Sequence, residues 1–357
     1  IRNTSLTKVQ KDYLDNTITS ANTLLAVISD ILDFSKIESG KMELESIKTD
    51  IIQLFENSTD IIKVTAAKKG LELLLNINPE IPRFAYIDPI RTKQILVNLL
   101  SNAVKFTHFG EIELGLKFEA IDEQQGNYMV YVRDTGIGIK DEDKSKLFKA
   151  FSQADTSTTR RYGGTGLGLT ISNSLAMQMG SNISFESEYG KGTTFSFTIV
   201  CDYNYGLKPD YNHIENLNSV LVIDDNVHNL QILEHTFRHW NVKYTGVSGG
   251  AEAIELLKSK ATFDLIIVDY HMPDMDGLET IKYIRELLHF DNREQPIIML
   301  HSSSDDIVLY EKAKELNVRY LLNKPVKTDE LYTYLNNMKQ NHRFDHGYQK
   351  TEVNEQV

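Results

Sequence analysis

Residues 98–107 read NLLSNAVKFT, and residues 134–138 read DTGIG. The first stretch reads as helix. Asn98 and Asn102 are four residues apart and Lys105 lies three further on, so two amides and a cation share one face. Such a face suits a Mg2+–triphosphate, because Mg2+ takes oxygen ligands and shares them with phosphates. On its own, a polar face of this kind is more often ordinary helix surface. The second stretch ends the strand YMVYVR (128–133) and sets Asp134 before a Gly-x-Gly turn. Backbone can come close to a flat ligand there, and the carboxylate is free to accept an amine hydrogen. A third stretch, GGTGLGL (163–169), opens a helix whose unpaired N–H groups and positive dipole end suit phosphates. Between the glycine blocks, LFKAFSQADTSTTRRY (147–162) is polar and basic, with Phe148 and Phe151 as apolar anchors. It reads as a lid.

Around this block, residues 49–200 alternate helix and strand signals. IIQLFENSTDIIKVTAAKKG (51–70) is helical, LELLLNINPEIP (71–82) is a strand, and DPIRTKQILVNLLSNAVKFT (88–107) is helical again. GEIELGLKFEAI (110–121) and NYMVYVRDTG (127–136) alternate as strands. Residues 181–200 form a hairpin with Gly190 and Gly192 in its turn. Upstream, residues 6–38 read as one long helix. Leu14, Ile18, Ala21, Leu25, Ile28 and Leu32 mark a heptad seam that packs against partner helices. The competing reading is a single amphipathic helix docked on its own domain.

Downstream, SVLVID, VKYTGV, FDLIIVD, PIIML and RYLLN are strands separated by helical patterns, which argues for a parallel sheet covered on both faces. Asp224, Asp225 and Asp269 stand at strand ends, with Lys324 beside a fifth strand. In a doubly wound sheet these ends gather at one edge, where ligands bind. Three carboxylates there repel one another unless a cation joins them, so a Mg2+ site is implied. Lys324 can neutralise a phosphorylated aspartate as a point charge.

The chain has 357 residues, enough for two or three domains. Its net charge of −12 disfavours nucleic acid or an anionic membrane as the main partner. One cysteine, Cys201, excludes an internal disulfide and suits a reducing compartment. No stretch approaches the ~20 apolar residues of a membrane span. The expected setting is cytoplasmic, and a sensor or membrane anchor upstream would be invisible here. The expected division is 1–48, a helix whose seam packs against partner helices; 49–203, the domain of the Mg2+–triphosphate face; 204–217, a linker; 218–340, a third domain; and 341–357, a flexible tail.

The ordered set N-x-x-x-N-A-x-K-F-T, D-T-G-I-G, F-x-x-F, G-G-T-G-L-G-L and G-K-G-T resembles the ATPase domains of histidine kinases, within the gyrase–Hsp90–kinase–MutL superfamily. No Walker A loop is present. The resemblance implies a two-layer α/β sandwich. It implies that Asn102 holds Mg2+, Asp134 meets the adenine amine, and Lys105 meets phosphate. Gly136 and Gly138 would let the base approach. Gly164, Gly166, Leu167 and Gly168 would line the phosphates, Thr193 would sit at the nucleotide, and Asn98 near the transfer edge. Arg160 and Arg161 are lid cations. The downstream set D-D, D-Y-H-M-P-x-M-D-G and K-P-V resembles response-regulator receiver domains, which implies a flavodoxin-like (βα)5 fold. By that resemblance Asp269 is the phosphoacceptor. Asp224, Asp225, Asp269 and the backbone carbonyl of His271 hold Mg2+, and Lys324 contacts the phosphoryl group. For the switch hydroxyl, strand register offers His301 and spacing to Lys324 offers Ser302, the preferred choice. Leu321 stands at the usual aromatic position, with Tyr320 before it.

The end of the long helix, ISDILDFSKIESGKMELE (28–45), looks like the second helix of a sensor kinase's dimerisation and histidine-phosphotransfer domain. None of the ten histidines sits in the H-E-L-R-T-P-like motif that carries the acceptor in that family. The expectation is that the chain begins just after that helix. Together these resemblances imply a protein-histidine kinase of hybrid type, using ATP and Mg2+, dimeric through its helical domain. They further imply an acceptor His upstream of this chain, and a histidine-phosphotransfer protein or response regulator as the expected onward partner. The competing classes are a nucleotide-gated scaffold without catalysis and a chaperone- or topoisomerase-type ATPase.

Overall fold

A computed structural model describes residues 4, 6–149, 166–206, 214, 217–259, 261–286, 296–302, 307–318 and 320–340. The chain divides into two units, 1–207 and 208–357.

The first unit opens with helix α1 (Lys8–Glu38), begun by a reciprocal capping box between Thr7 and Gln10. Its seam residues Leu25, Ile28 and Leu32 are 64%, 44% and 57% exposed, so along this stretch the stripe is not buried on its own unit. The C-terminal end of α1 docks. Phe34 and Ile37 pack against the core, and Asp33, 9% exposed, grips the helix that carries Asn98.

After α1 come β1 (Ile47–Asp50), α2 (Ile51–Lys68), β2 (Glu72–Ile77), β3 (Phe84–Ile87), α3 (Pro89–Phe106), β4 (Glu111–Ala120) and β5 (Gln125–Asp134). A short turn of helix, α4 (Asp141–Lys144), precedes α5 (Gly168–Gln178), β6 (Ser184–Glu188) and β7 (Gly192–Asn204). The sheet runs β1-β3-β7-β5-β4-β2, with β6 added beside β7. Among the described residues of this unit, only β2 and β4 pair in parallel. Strands β1 and β3, four residues each, were not anticipated in the sequence; they close one edge of the sheet. Helices α2, α3 and α5 bury one face each. Ile51, Phe55 and Ile62 from α2, Ile95, Leu99 and Ala103 from α3, and Ile171 and Leu175 from α5 share one core with Leu114, Val130 and Phe197 of the sheet. This is the two-layer sandwich.

The second unit alternates β8 (Ser219–Ile223), α6 (Val227–His239), β9 (Lys243–Val247), α7 (Gly250–Lys258), β10 (Leu265–Asp269), α8 (Gly277–Glu286), β11 (Ile297–His301), α9 (Ile307–Glu315), β12 (Tyr320–Asn323) and α10 (Thr328–Gln340). All pairings are parallel, in the order β12-β11-β10-β8-β9. Alternate strand residues feed two cores. Leu221, Ile223, Ile266, Val268 and Met299 face one side, and Val220, Val222, Ile267, Leu300 and Leu322 the other. Ile214, within the expected linker, joins the second of these cores. Its apolar side chain has Val220 and Leu335 to bury against there.

Candidate functional sites

In the first unit, α3 starts because Asp88 caps Arg91 N–H at 2.9 Å and Pro89 takes the first helical position. Its apolar positions face the core, which leaves Asn98, Asn102 and Lys105 on the other stripe. Asn98 Nδ2 donates to Ser172 Oγ at 2.8 Å, and Asn102 Nδ2 reaches Asn98 Oδ1 at 3.5 Å. Helix α5 meets α3 at this point. A Cβ on Gly168 would stand 2.5 Å from Asn98 Oδ1, so any larger residue at the start of α5 would have to displace the Asn98 side chain. Burial lowers the pKa of the Lys105 ammonium below its ordinary value, as expected for a cation in a partly closed site.

Asp134 ends β5, 8% exposed, with Oδ1 accepting Gly136 N–H at 2.8 Å. Burial pushes its carboxyl above the ordinary range, while N–H donors of Gly136 and Thr193 and the Arg133 charge pull the other way. A buried carboxylate with remaining lone pairs is an acceptor waiting for a donor. A Cβ on Gly136 would lie 2.5 Å from Phe106 O, so the turn presses against the end of α3. Gly138 and Gly166 both take positive φ, at 64° and 69°. Thr193 pairs with Asp134 across β5 and β7, and its Oγ1 lies 2.9 Å from Ser187 Oγ. Leu167 is 1% exposed with its side chain in the core, so only its backbone is available at the helix start. Gly164, Arg160, Arg161 and Phe151 lie outside the described residues. Phe148 packs near Phe185, with ring centroids 6.0 Å apart, and its carbonyl accepts from Thr170. Ser172 and Ser187 were not singled out in the sequence. Ser172 was within reach of sequence reasoning, four residues past Gly168 on the same helix face.

In the second unit, the strand C-termini bring Asp224, Asp269 and Lys324 together, at 0%, 2% and 4% exposure. Lys324 Nζ lies 3.0 Å from Asp224 Oδ2 and 2.9 Å from Asp269 Oδ1. Carboxylate oxygens of Asp224, Asp225 and Asp269 all fall within 4.8 Å of one another. Asp225 is the exposed member and opens the cluster to solvent. Three carboxylates against one ammonium leave two negative charges, and oxygens around one Mg2+ span about 4 Å, so the donor set fits that ion. Asp224 is further held by Asn226 N–H at 2.9 Å and by the buried Asn229, whose Nδ2 donates at 3.2 Å. Asn229 was not foreseen. His271 is exposed beside Tyr270, two residues past Asp269. His301 closes β11, fully buried, with its ring 5.9 Å from Tyr310 and its carbonyl accepting from Lys324 N–H. Ser302 is the half-buried residue just beyond the strand. Leu321 packs on one core, and Tyr320 stacks edge-on against Tyr334.

Two family models match. Residues 87–202 match the histidine kinase-, DNA gyrase B- and HSP90-like ATPase, and residues 220–336 match the response regulator receiver domain. The chain therefore carries a histidine kinase-type ATPase domain followed by a response-regulator receiver domain. Among curated proteins it is similar to the signal transduction histidine-protein kinase BarA of Escherichia coli K12, 46% identical over 201 residues, 56% of this chain and 22% of that protein. It is also similar to the autoinducer 2 sensor kinase/phosphatase LuxQ of Vibrio cholerae, 33% identical over 354 residues, 96% of this chain and 40% of that protein. A third relative is the hybrid signal transduction histidine kinase B of Dictyostelium discoideum, 44% identical over 201 residues, 56% of this chain and 10% of that protein. The chain thus spans less than half the length of each of these relatives. Among the described residues no helix is long and apolar enough to cross a membrane.

Proposed function

We propose that this chain is the catalytic and receiving part of a phosphorelay. ATP held by the first unit phosphorylates a histidine, and Asp269 takes that phosphoryl group. The observation that carries this reading is the pairing of Lys324 with Asp224 and Asp269 in a carboxylate cluster, on the same chain as the Asn98–Asn102–Asp134 set.

In the first unit Asp134 accepts the adenine amine, Gly136 and Gly138 leave room for the ring, and Lys105 meets phosphate. Asn102 offers its amide oxygen to Mg2+, and Asn98 orients at the transfer edge through Ser172. Gly164, Gly166, Gly168 and the backbone of Leu167 border the phosphates, with Thr193 behind the adenine turn. The histidine nitrogen attacks the γ-phosphorus, the bond to the bridging oxygen breaks, and ADP leaves. In the second unit an Asp269 carboxylate oxygen attacks the phosphorus, the P–N bond breaks, and the imidazole departs with its electron pair. Mg2+, when bound by Asp224, Asp225, Asp269 and the His271 carbonyl, supplies charge neutralisation for the phosphoryl oxygens. Lys324 contributes a fixed cation, and positioning rather than a separate base drives transfer. Ser302 donates to the phosphoryl group once it is in place.

The exposed seam of α1 pairs with a second copy in a helical dimer. The acceptor histidine stands elsewhere in the same protein, and a histidine-phosphotransfer protein or response regulator receives the group next. The chain works on the cytoplasmic side, where ATP is.

The test uses the full-length protein and γ-labelled ATP. Acid-labile label on histidine should precede label on Asp269. Asp269→Ala should stop the second step and leave the first. Label persisting on the receiver of Asp269→Ala would overturn the assignment.

A further inference from the structure

Helix α3 ends against the nucleotide site, and the last carbonyls of a helix lack intrahelical partners. Their satisfaction can be followed one by one. Ala103 O accepts from Thr107 N–H at 3.0 Å, and Phe106 O from Ile137 N–H, in the adenine-side turn, at 3.2 Å. The other three go to one side chain. Lys69 Nζ donates to Val104 O at 2.5 Å, to Thr107 O at 3.3 Å and to Lys105 O at 3.4 Å.

Lys69 does not belong to α3. It is the residue that ends α2, where its own N–H bonds back to the Ala66 carbonyl and the next N–H, of Gly70, to Ala67. Its position is therefore set by a different helix, 35–38 residues away in sequence from the carbonyls it holds. The C-terminal end of a helix carries partial negative charge, and an ammonium placed there is stabilising. Here that end also carries Lys105 and abuts Gly136. A lysine at a helix end is often no more than a surface cap. Two facts set this one apart: it holds the carbonyl of Lys105 itself, and the next carbonyl in line is held by the Asp134–Gly138 turn.

We infer that Lys69 is a positioning residue for nucleotide binding, fixing the last turn of α3 so that Lys105 is presented to the phosphates. This rests on the reading of Lys105 as a phosphate contact. Without Lys69 the turn frays, and Lys105 must be ordered at the moment of binding.

The experiment is a double-mutant cycle on the full chain, read as ATP–Mg2+ affinity by titration calorimetry. Lys69→Ala should weaken binding about fivefold, the upper range for an exposed charge at a helix end. Lys69→Arg should restore it to within about twofold. In a Lys105→Ala background, Lys69→Ala should cost less than about twofold, because the two act as one unit. Equal losses in both backgrounds would mean a merely structural cap and overturn the inference. So would a full-affinity Lys69→Ala, while Lys105→Ala still weakens binding; in that case the nucleotide site itself stands. If Lys105→Ala binds ATP as the wild type does, the phosphate reading of Lys105 falls, and this inference with it.

Discussion

Lys324 reaches Asp269 Oδ1 at 2.9 Å while also touching Asp224 at 3.0 Å, and all three residues are at most 4% exposed. One ammonium thus holds apart two buried carboxylates. Removing it leaves both charges buried with no fixed cation. Breaking a buried pair typically costs about 3–5 kcal/mol. Lys324→Met should therefore lose about 3 kcal/mol of receiver stability without Mg2+, at the low end because Asp225 opens the cluster to solvent. Millimolar Mg2+ should recover part of the loss. Urea unfolding followed by Trp240, the chain's one tryptophan, reads the receiver alone. An unchanged midpoint would mean that the carboxylates do not depend on this lysine.

Asp134 predicts opposite effects on fold and ligand. Its pKa is raised above the ordinary 3.8, chiefly by burial. A carboxyl raised in the folded state contributes stability below that ordinary value and loses it as pH rises through the folded value. At pH 7 the ionised Asp134 therefore costs stability. Asp134→Asn should leave the ATP domain equally or more stable at pH 7, and its advantage should shrink toward pH 4. Its ATP affinity should fall about 10–100-fold, since a hydrogen bond to a charged group is lost. Thermal unfolding at several pH values, with nucleotide titration alongside, checks both signs.

The motif residues were legible because their spacing is short and their backbone demands are local. Gly136, Gly168, Asp224 and Asp269 each sit at a strand or helix end that hydrophobic patterning marks. Lys69 was not legible, since its partners lie on another helix. Asp33 was hidden in the same way, a polar residue in an apolar heptad whose partners are 58 and 61 residues away. The strands Ile47–Asp50 and Phe84–Ile87 were too short to show a period of their own. Register and spacing disagreed over His301 and Ser302 because they are neighbours across the end of one strand: the first is wholly buried, the second half-exposed.

Gly168 and Asn98 should behave as one unit. A methyl on Gly168 would meet Asn98 Oδ1 at 2.5 Å, and Asn98 could yield only by giving up Ser172. Gly168→Ala is expected to cost about 1 kcal/mol of stability, the worth of that bond. Its effect on phosphoryl transfer should match that of Asn98→Ala. The double variant should be no worse than either single one, because both displace the same side chain. Initial rates of histidine labelling measure this, and additive losses would separate the two residues.

The grip of α1 on the ATP domain gives the last prediction. Asp33 takes Arg91 Nη1 at 3.3 Å and Gln94 Nε2 at 2.9 Å, one partner on each oxygen. Arg91 and Gln94 also bond each other at 2.9 Å, so they keep a partner if Asp33 is lost. Asp33→Ala should therefore leave the ATP domain's own unfolding unchanged and release the end of α1. The released contact is worth about 1.5–3 kcal/mol, the range for hydrogen bonds to a charged group, with Phe34 and Ile37 left to hold the helix. Amide hydrogen exchange should rise over residues 28–38 and stay unchanged in α3. Faster exchange in α3 as well would mean that Asp33 supports the nucleotide helix and not only the joint. On this stripe Arg91, Gln94, Asn98 and Asn102 succeed one another at helical spacing, so a change that stops at Gln94 locates where the joint ends and the nucleotide site begins.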